Sequence, residues 1–244
     1  MTHAPSARLQ GQDVVIFGGS TGIGLATAHA VKQRGANITL VARNAEKLEA
    51  AARALGGARA KVADICDRQQ VEAIFAGMAS VDHLVITAGS LGGGRLADTD
   101  PDLLLSALHE RIAGPLYAIK AALARMPNTA SVVLTGGQFS DRPSPHGFSV
   151  VSAAVRGIEA LARSLALELK PIRVNVISPG FVDTPLFDGM GLKGRSALLS
   201  QAANALPGGR VGRAEEVAEA ILLLLTNGYM TGEVLHVDGG GRLV

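Results

Sequence analysis

The chain is poor in the residue types that mark nucleic-acid binding and disulfide-stabilised proteins. Its 244 residues include no tryptophan, two tyrosines and one cysteine, Cys66. A single cysteine excludes an internal disulfide and fits a reducing compartment. The formal net charge is only +2 and no run of lysine or arginine occurs, so neither stacking surfaces nor a basic footprint is present. We expect no nucleic-acid partner.

Long apolar runs and clustered metal ligands are also lacking. The longest late apolar run, residues 220–225, is too short to span a bilayer. Residues 1–12 are polar and do not have the pattern of a signal peptide. The six histidines show no ligand spacing beside cysteines or carboxylates. We expect a soluble, cytoplasmic protein with no membrane partner and no metal site.

What the sequence does contain is a regular alternation of strand and helix patterns. With 48% hydrophobic and 18% charged residues, the chain is long enough for one α/β core and too short for two, so residues 1–244 are expected to form one domain. Short connections between the elements predict a parallel sheet with helices on both faces. The predicted strands are 14–17, 37–42, 58–63, 83–86, 131–135, 172–177 and 234–237.

Helical patterns separate these strands. One long helix is predicted over residues 102–126, with a kink or break at Pro115. Residues 181–209 are glycine-rich and interrupted by prolines, and they lie where a substrate lid would be expected. The other predicted helices cover 23–33, 45–55, 68–78, a stretch that ends at 169, and 215–225.

The stretch Phe-Gly-Gly-Ser-Thr-Gly-Ile-Gly at residues 17–24 joins the first strand to the first helix. Gly18 permits a tight turn, Gly22 permits close approach to a pyrophosphate, and Gly24 permits close packing of helix on strand. Free N–H groups at the helix N-terminus would face the anion. This pattern predicts a phosphate-binding turn, although a glycine turn without a ligand is the alternative.

Together with four later stretches, this turn makes the chain resemble the short-chain dehydrogenase/reductase superfamily over nearly its whole length. Residues 18–24 fit the family's glycine pattern, with Phe17 in the threonine place. The later stretches are Asp64 after the third strand, Thr87-Ala88-Gly89 after the fourth, residues 173–185 at the sixth, and residues 212–218 with 237–240 near the end.

This resemblance implies one doubly wound Rossmann domain, with about seven parallel strands in the order 3-2-1-4-5-6-7, and a nicotinamide cofactor. It also implies a homo-oligomer, either a dimer or a tetramer. The residues that it assigns to cofactor binding are Gly18, Ser20, Thr21, Gly22, Ile23, Gly24, Arg43, Asn44, Asp64, Ile65, Ala88, Gly89, Pro179, Gly180, Val182 and Thr184.

The end of the second strand predicts which cofactor is used. The position where family members that use NAD place a carboxylate is Ala42, and Arg43 follows it. A guanidinium can bind a 2′-phosphate through two hydrogen bonds, whereas a carboxylate would repel it, so NADP is favoured. The alternative is that Arg43 is a solvated charge beside the next helix.

The family's proton-handling residues are all substituted in this alignment. Val151 and Val155 stand at the tyrosine and lysine positions, the serine position falls in Gly-Gly-Gln at 136–138, and Arg111 replaces the asparagine. A substrate oxygen would then be polarised by Arg111, Gln138, Ser140, Ser152 or water. We select Arg111 and Ser140 as catalytic candidates. The alternative role for Arg111 is a surface ion pair with Glu110, and for Ser140 it is a turn or helix-cap hydrogen bond.

Two hypotheses follow from this combination. In the first, the chain is an NADP-dependent oxidoreductase that acts on a small carbonyl, enone or imine without the usual acid. In the second, it binds NADP as a sensor, a partner subunit or a non-redox catalyst. Pro179, Gly180 and Thr184 preserve the nicotinamide end of the site, and they favour the first hypothesis.

Overall fold

The computed structural model describes residues 9–244. Most of the polar N-terminal stretch considered above therefore lies outside the described residues. The main sheet has seven parallel strands in the order β3-β2-β1-β4-β5-β6-β9, and β7 pairs with β8 in a separate two-stranded sheet. The strands are β1 Asp13–Phe17, β2 Asn37–Ala42, β3 Arg59–Val62, β4 His83–Ile86, β5 Ser131–Thr135, β6 Arg173–Pro179, β7 Val182–Asp183, β8 Gly212–Arg213 and β9 Val234–Val237.

This architecture confirms the predicted fold and strand order. The predicted seventh strand is β9, because the two short strands β7 and β8 precede it in the chain. Eight α-helices are assigned between residues 9 and 244: α1 Gly22–Lys32, α2 Ala45–Ala54, α3 Arg68–Phe75, α4 Pro101–Leu108, α5 Gly114–Ala122, α6 Ser149–Glu168, α7 Gly191–Ala205 and α8 Ala214–Thr226.

The central strands of the sheet are buried on both faces, as their nearly continuous apolar sequences predict, whereas the edge strand β3 is exposed. Successive side chains of a strand point to opposite faces, so Val15 and Phe17 join the cluster under α3, α5 and α6. Val14 and Ile16 join the cluster under α1, α2 and α8. The two helical layers leave the carboxyl ends of the strands open, and this edge holds the site described below.

The predicted helix over 102–126 is interrupted just before Pro115. Helix α4 ends at Leu108, a π-helical turn covers His109–Ala113, and α5 begins at Gly114. The N–H of Gly114 donates to the carbonyl of His109, five residues earlier. A proline ring excludes the carbonyl four residues before it, which explains why the irregularity precedes Pro115.

The segment proposed as a lid is more ordered than the sequence analysis predicted. A 3-10 turn, Pro185–Met190, leads into the 15-residue helix α7, of which only Ala202 is buried. The helix was not predicted, because Pro185 and Pro207 were taken to interrupt a segment that they flank. Across residues 9–244, no helix has both the length and the apolar character needed to cross a membrane.

Candidate cofactor and catalytic site

A cleft of about 490 Å³ opens at the carboxyl ends of the central strands. Its walls include the residues that directly follow β1, β2, β4, β5 and β6. In doubly wound sheets this edge, at the point where the strand order reverses, is where ligands bind. The topology therefore brings together stretches that lie up to 160 residues apart in the chain, from residues near 20 to residues near 180.

All but two of the predicted cofactor residues line this cleft. The exceptions are Asp64 and Val182. The Asp64 carboxylate accepts a hydrogen bond from the Cys66 N–H at 2.9 Å, and Val182 is buried in β7 beside Gly212. The structure thus gathers the predicted set in one place, while the binding role of each residue stays a prediction.

The glycine turn has the shape that a pyrophosphate requires. Gly18 has a φ of +82°, and a Cβ there would lie 2.7 Å from the Ala88 nitrogen. Thr21, the N-cap of α1, makes no side-chain hydrogen bond to the helix, so its first-turn N–H groups stay available to an anion. The residues present therefore fit a dinucleotide phosphate.

Arg43 and Asn44 follow β2 at one end of the cleft. The Asn44 side chain accepts a hydrogen bond from the Lys47 N–H at 2.8 Å and so caps α2. Arg43 is 65% exposed, and its Nη2 lies 3.9 Å from the Oε1 of Glu110, which lines the same cleft, so its role in cofactor binding stays a prediction. Burial first, and then the charges of Asp64 and Glu110, raise the pKa of the nearby Cys66 thiol to about 11.

Arg111 lines the cleft from the π-helical turn. Its Nη2 donates to the Ser90 carbonyl at 2.7 Å, and its guanidinium lies against Gly89, where a Cβ would be 3.2 Å from Cζ. Within residues 9–244 its buried Nε finds no hydrogen-bond partner. Burial lowers the pKa of Arg111, and the charge of Glu110 opposes that change.

The predicted surface ion pair between Arg111 and Glu110 is replaced by other contacts. Glu110 Oε2 accepts hydrogen bonds from the Ser90 N–H and O–H at 2.7 and 2.6 Å. Sequence reasoning missed that Glu110 and Ser90 line the cleft. A regular helix turns about 100° per residue, so adjacent residues were not expected to share one cavity.

The wall at the expected tyrosine and lysine positions is apolar. Val151 and Val155 both line the cleft and are each 2% exposed. Gln138 lines it too, and its buried Oε1 has no partner in the described chain. Ser140 lies outside the lining, and its hydroxyl is 3.4 Å from Asp141 Oδ2. The candidates Arg111 and Ser140 are therefore not brought to the same surface.

Comparison with known proteins decides the family. Residues 18–241 match the family model described as Enoyl-(Acyl carrier protein) reductase. The chain belongs to the short-chain dehydrogenase/reductase superfamily. It is 37% identical over 237 residues to a 3-oxoacyl-[acyl-carrier-protein] reductase of Bos taurus, covering 93% of this chain and 97% of the relative.

Two solved structures resemble this short-chain dehydrogenase/reductase closely. The MalC reductase/Diels-Alderase of Malbranchea aurantiaca superposes with a TM-score of 0.91 at 31% identity, over 98% of this chain and 99% of that one. A short chain oxidoreductase from Pseudomonas aeruginosa PAO1, solved with NADPH and containing an atypical catalytic center, superposes with a TM-score of 0.86. The two chains are 30% identical, over 96% of this chain and 98% of that one. These relatives support a nicotinamide cofactor.

One cluster of ionisable groups in this short-chain dehydrogenase/reductase lies outside the cleft lining. Asp141, Glu159 and His236 offer donor atoms that all lie within 4.8 Å of one another. Arg156 already bridges the two carboxylates, at 3.0 Å from Asp141 and 2.8 Å from Glu159. The arginine supplies the positive charge that a cation would bring, and the sequence-based expectation of no metal site stays a prediction.

Proposed function

We propose that the chain is an NADP-dependent oxidoreductase that reduces a small carbonyl, enone or imine, with residues 181–209 acting as the lid over the substrate. The observation that carries this proposal is the Arg111 guanidinium, which lines the same cleft as Val151 and Val155 and whose buried Nε has no hydrogen-bond partner in the described chain. The relatives support it, since one is named a 3-oxoacyl-[acyl-carrier-protein] reductase and another was solved with NADPH.

The cofactor would be held by three parts of the cleft. The turn at residues 18–24 would bind the pyrophosphate, Arg43 would bind the 2′-phosphate, and Pro179, Gly180 and Thr184 would contact the nicotinamide. When bound, the nicotinamide supplies the hydride. The lid contributes Phe181, Leu186 and Phe187 to the lining, and these apolar side chains would exclude water from the reacting atoms.

Arg111 would polarise the substrate oxygen or nitrogen without giving up its own proton. A guanidinium stays charged even when burial lowers its pKa, so Arg111 would act as a fixed electrostatic donor. The proton would then come from water. Losing general acid catalysis typically costs about 10²–10⁴ in rate, which favours conjugated alkenes and imines because their reduction depends less on oxygen protonation.

The test compares variants in an NADPH absorbance assay with a panel of ketones, enones and imines. Arg111→Met should lower kcat/KM by about 10²–10³ while the NADPH dissociation constant changes less than about threefold. Arg111→Lys should recover part of the loss, and the exposed Arg163→Met serves as the matched control. A full rate in Arg111→Met with a large loss in Ser140→Ala would transfer the role to Ser140.

The non-redox alternative is not favoured by the family or by the NADPH-bound relative. We also propose that the chain forms a homo-oligomer. Leu103 on α4 and Leu167 on α6 are 68% and 76% exposed, and burial of such side chains against a second copy would stabilise a two-fold assembly. Sedimentation equilibrium at micromolar concentration should show a dimer or tetramer, and a monomer would contradict this part.

A further inference from the structure

A buried carboxylate in the cleft has no role in the proposed reaction. Glu110 is only 8% exposed, and Ser90 fixes its Oε2 through the two hydrogen bonds described above. A carboxylate oxygen that accepts from two donors is held in position. Glu110 is therefore a fixed negative group in the wall of the cleft.

The second carboxylate oxygen of Glu110, Oε1, faces Arg43. The 3.9 Å separation between Glu110 Oε1 and Arg43 Nη2 joins the end of β2 to the π-helical turn. The Arg43 side chain is 65% exposed, whereas the Glu110 side chain is 10% exposed, so a ligand from solvent reaches the guanidinium more readily than the carboxylate. A ligand phosphate that binds Arg43 must therefore compete with this carboxylate.

The carboxylate of Glu110 reaches a cleft in which the end of β2 itself carries no carboxylate. Ala42 stands where a carboxylate would bind the ribose hydroxyls of NAD. The π-helical turn brings a carboxylate into the same cleft from a distant part of the chain. The part of the cleft assigned to the adenosine of the cofactor therefore contains Arg43, a cation suited to a 2′-phosphate, and Glu110, an anion that would repel one.

We propose that Glu110 sets the cofactor preference by competing with the 2′-phosphate for Arg43, so that the chain distinguishes NADPH from NADH only weakly. This inference rests on the proposed function, because it assumes that the cleft binds a nicotinamide dinucleotide. Replacing the carboxylate by an amide of the same shape removes the competing charge, and it should strengthen NADPH binding.

The test measures dissociation constants by calorimetry for two ligand pairs, NADPH with NADH and adenosine 2′,5′-bisphosphate with 5′-AMP. Glu110→Gln should strengthen binding of the two 2′-phosphorylated ligands by about five- to twentyfold, as expected for removal of a nearby like charge that is partly screened by water. Binding of NADH and 5′-AMP should change less than about twofold. In an Arg43→Ala background the gain should shrink, which a double-mutant cycle detects.

Glu72→Gln is the matched control, because Glu72 is an exposed acid paired with Arg68 on α3. Equal affinities of Glu110→Gln and wild type for 2′-phosphorylated ligands would overturn the inference while leaving the proposed function standing. If the variant does not fold, the wild-type ratio decides: a preference for NADPH below about tenfold supports the inference, and a larger preference overturns it. A wild type that binds none of the four ligands overturns both.

Discussion

Substitution of Gly24 tests the roles assigned to the glycine turn. A Cβ on Gly24 would lie 2.2 Å from the carbonyl oxygen of Gly18 and 2.5 Å from Thr87 Oγ1, whereas ordinary contact begins at 3.4 Å. Because the first obstacle is backbone, helix α1 must move away from β1 by about 1 Å. Overpacking of this kind costs about 1–3 kcal/mol, and we expect the upper end for Gly24→Ala.

For a chain of this length, 1 kcal/mol corresponds to about 2–4 °C in Tm. Gly24→Ala should therefore lower Tm by about 6–12 °C, measured by thermal and urea unfolding. Gly22→Ala is the comparison. Its φ of +54° costs about 1–2 kcal/mol for a residue with a Cβ, but that Cβ meets side chains rather than backbone, Thr184 at 3.3 Å and Pro185 at 3.8 Å.

We therefore expect Gly22→Ala to remain more stable than Gly24→Ala while losing NADPH affinity, because its Cβ enters the space assigned to the pyrophosphate. A Gly24→Ala variant as stable as wild type would refute the assignment of Gly24 to helix packing. Unchanged NADPH affinity in Gly22→Ala would likewise refute the assignment of Gly22 to phosphate approach.

Three further predictions concern single residues. Arg43→Ala should weaken NADPH binding much more than NADH binding in a fluorescence titration, and equal small effects would show that Arg43 does not contact the 2′-phosphate. Burial, and secondarily the charge of Arg173, lower the pKa of His83 from 6.5 to about 4, so the unfolded state binds the proton more tightly. Stability should then fall by about 3 kcal/mol as the pH drops from 7 to 4, and urea titrations of His83→Gln should lack this part of the loss. Cys66, the only cysteine, should react with iodoacetamide at a rate that rises only well above pH 9, because its thiol pKa is raised to about 11, and fast labelling at pH 7 would contradict the described surroundings.

The sequence was sufficient for the sheet because its strands carry local signals. Apart from β3, the main strands are short and mostly apolar, and β-branched residues distinguish such runs from helices. The third strand was predicted over residues 58–63, and the structure assigns Arg59–Val62, whose side chains are all exposed. An exposed edge strand has no alternation of burial to fix its ends.

Neither helix α7 nor the π-helical form of the turn before Pro115 was predicted from the sequence, for different reasons. In α7, two glycines near the start hid a helix whose later part is rich in alanine and leucine. The break before Pro115 was predicted from the proline itself, but its form, a π-helical turn over His109–Ala113, was not. The site was therefore predictable where it uses strand ends, and not where it depends on Glu110 and Ser90.

The central claim is that hydride moves in this cleft. The most direct measurement uses NADPH deuterated at the transferable position of the nicotinamide, incubated with the protein and the panel of ketones, enones and imines, with products analysed by mass spectrometry. The account predicts deuterium in the product of at least one substrate, with a rate reduced in Arg111→Met. Tight NADPH binding with no deuterium transferred to any substrate would contradict it.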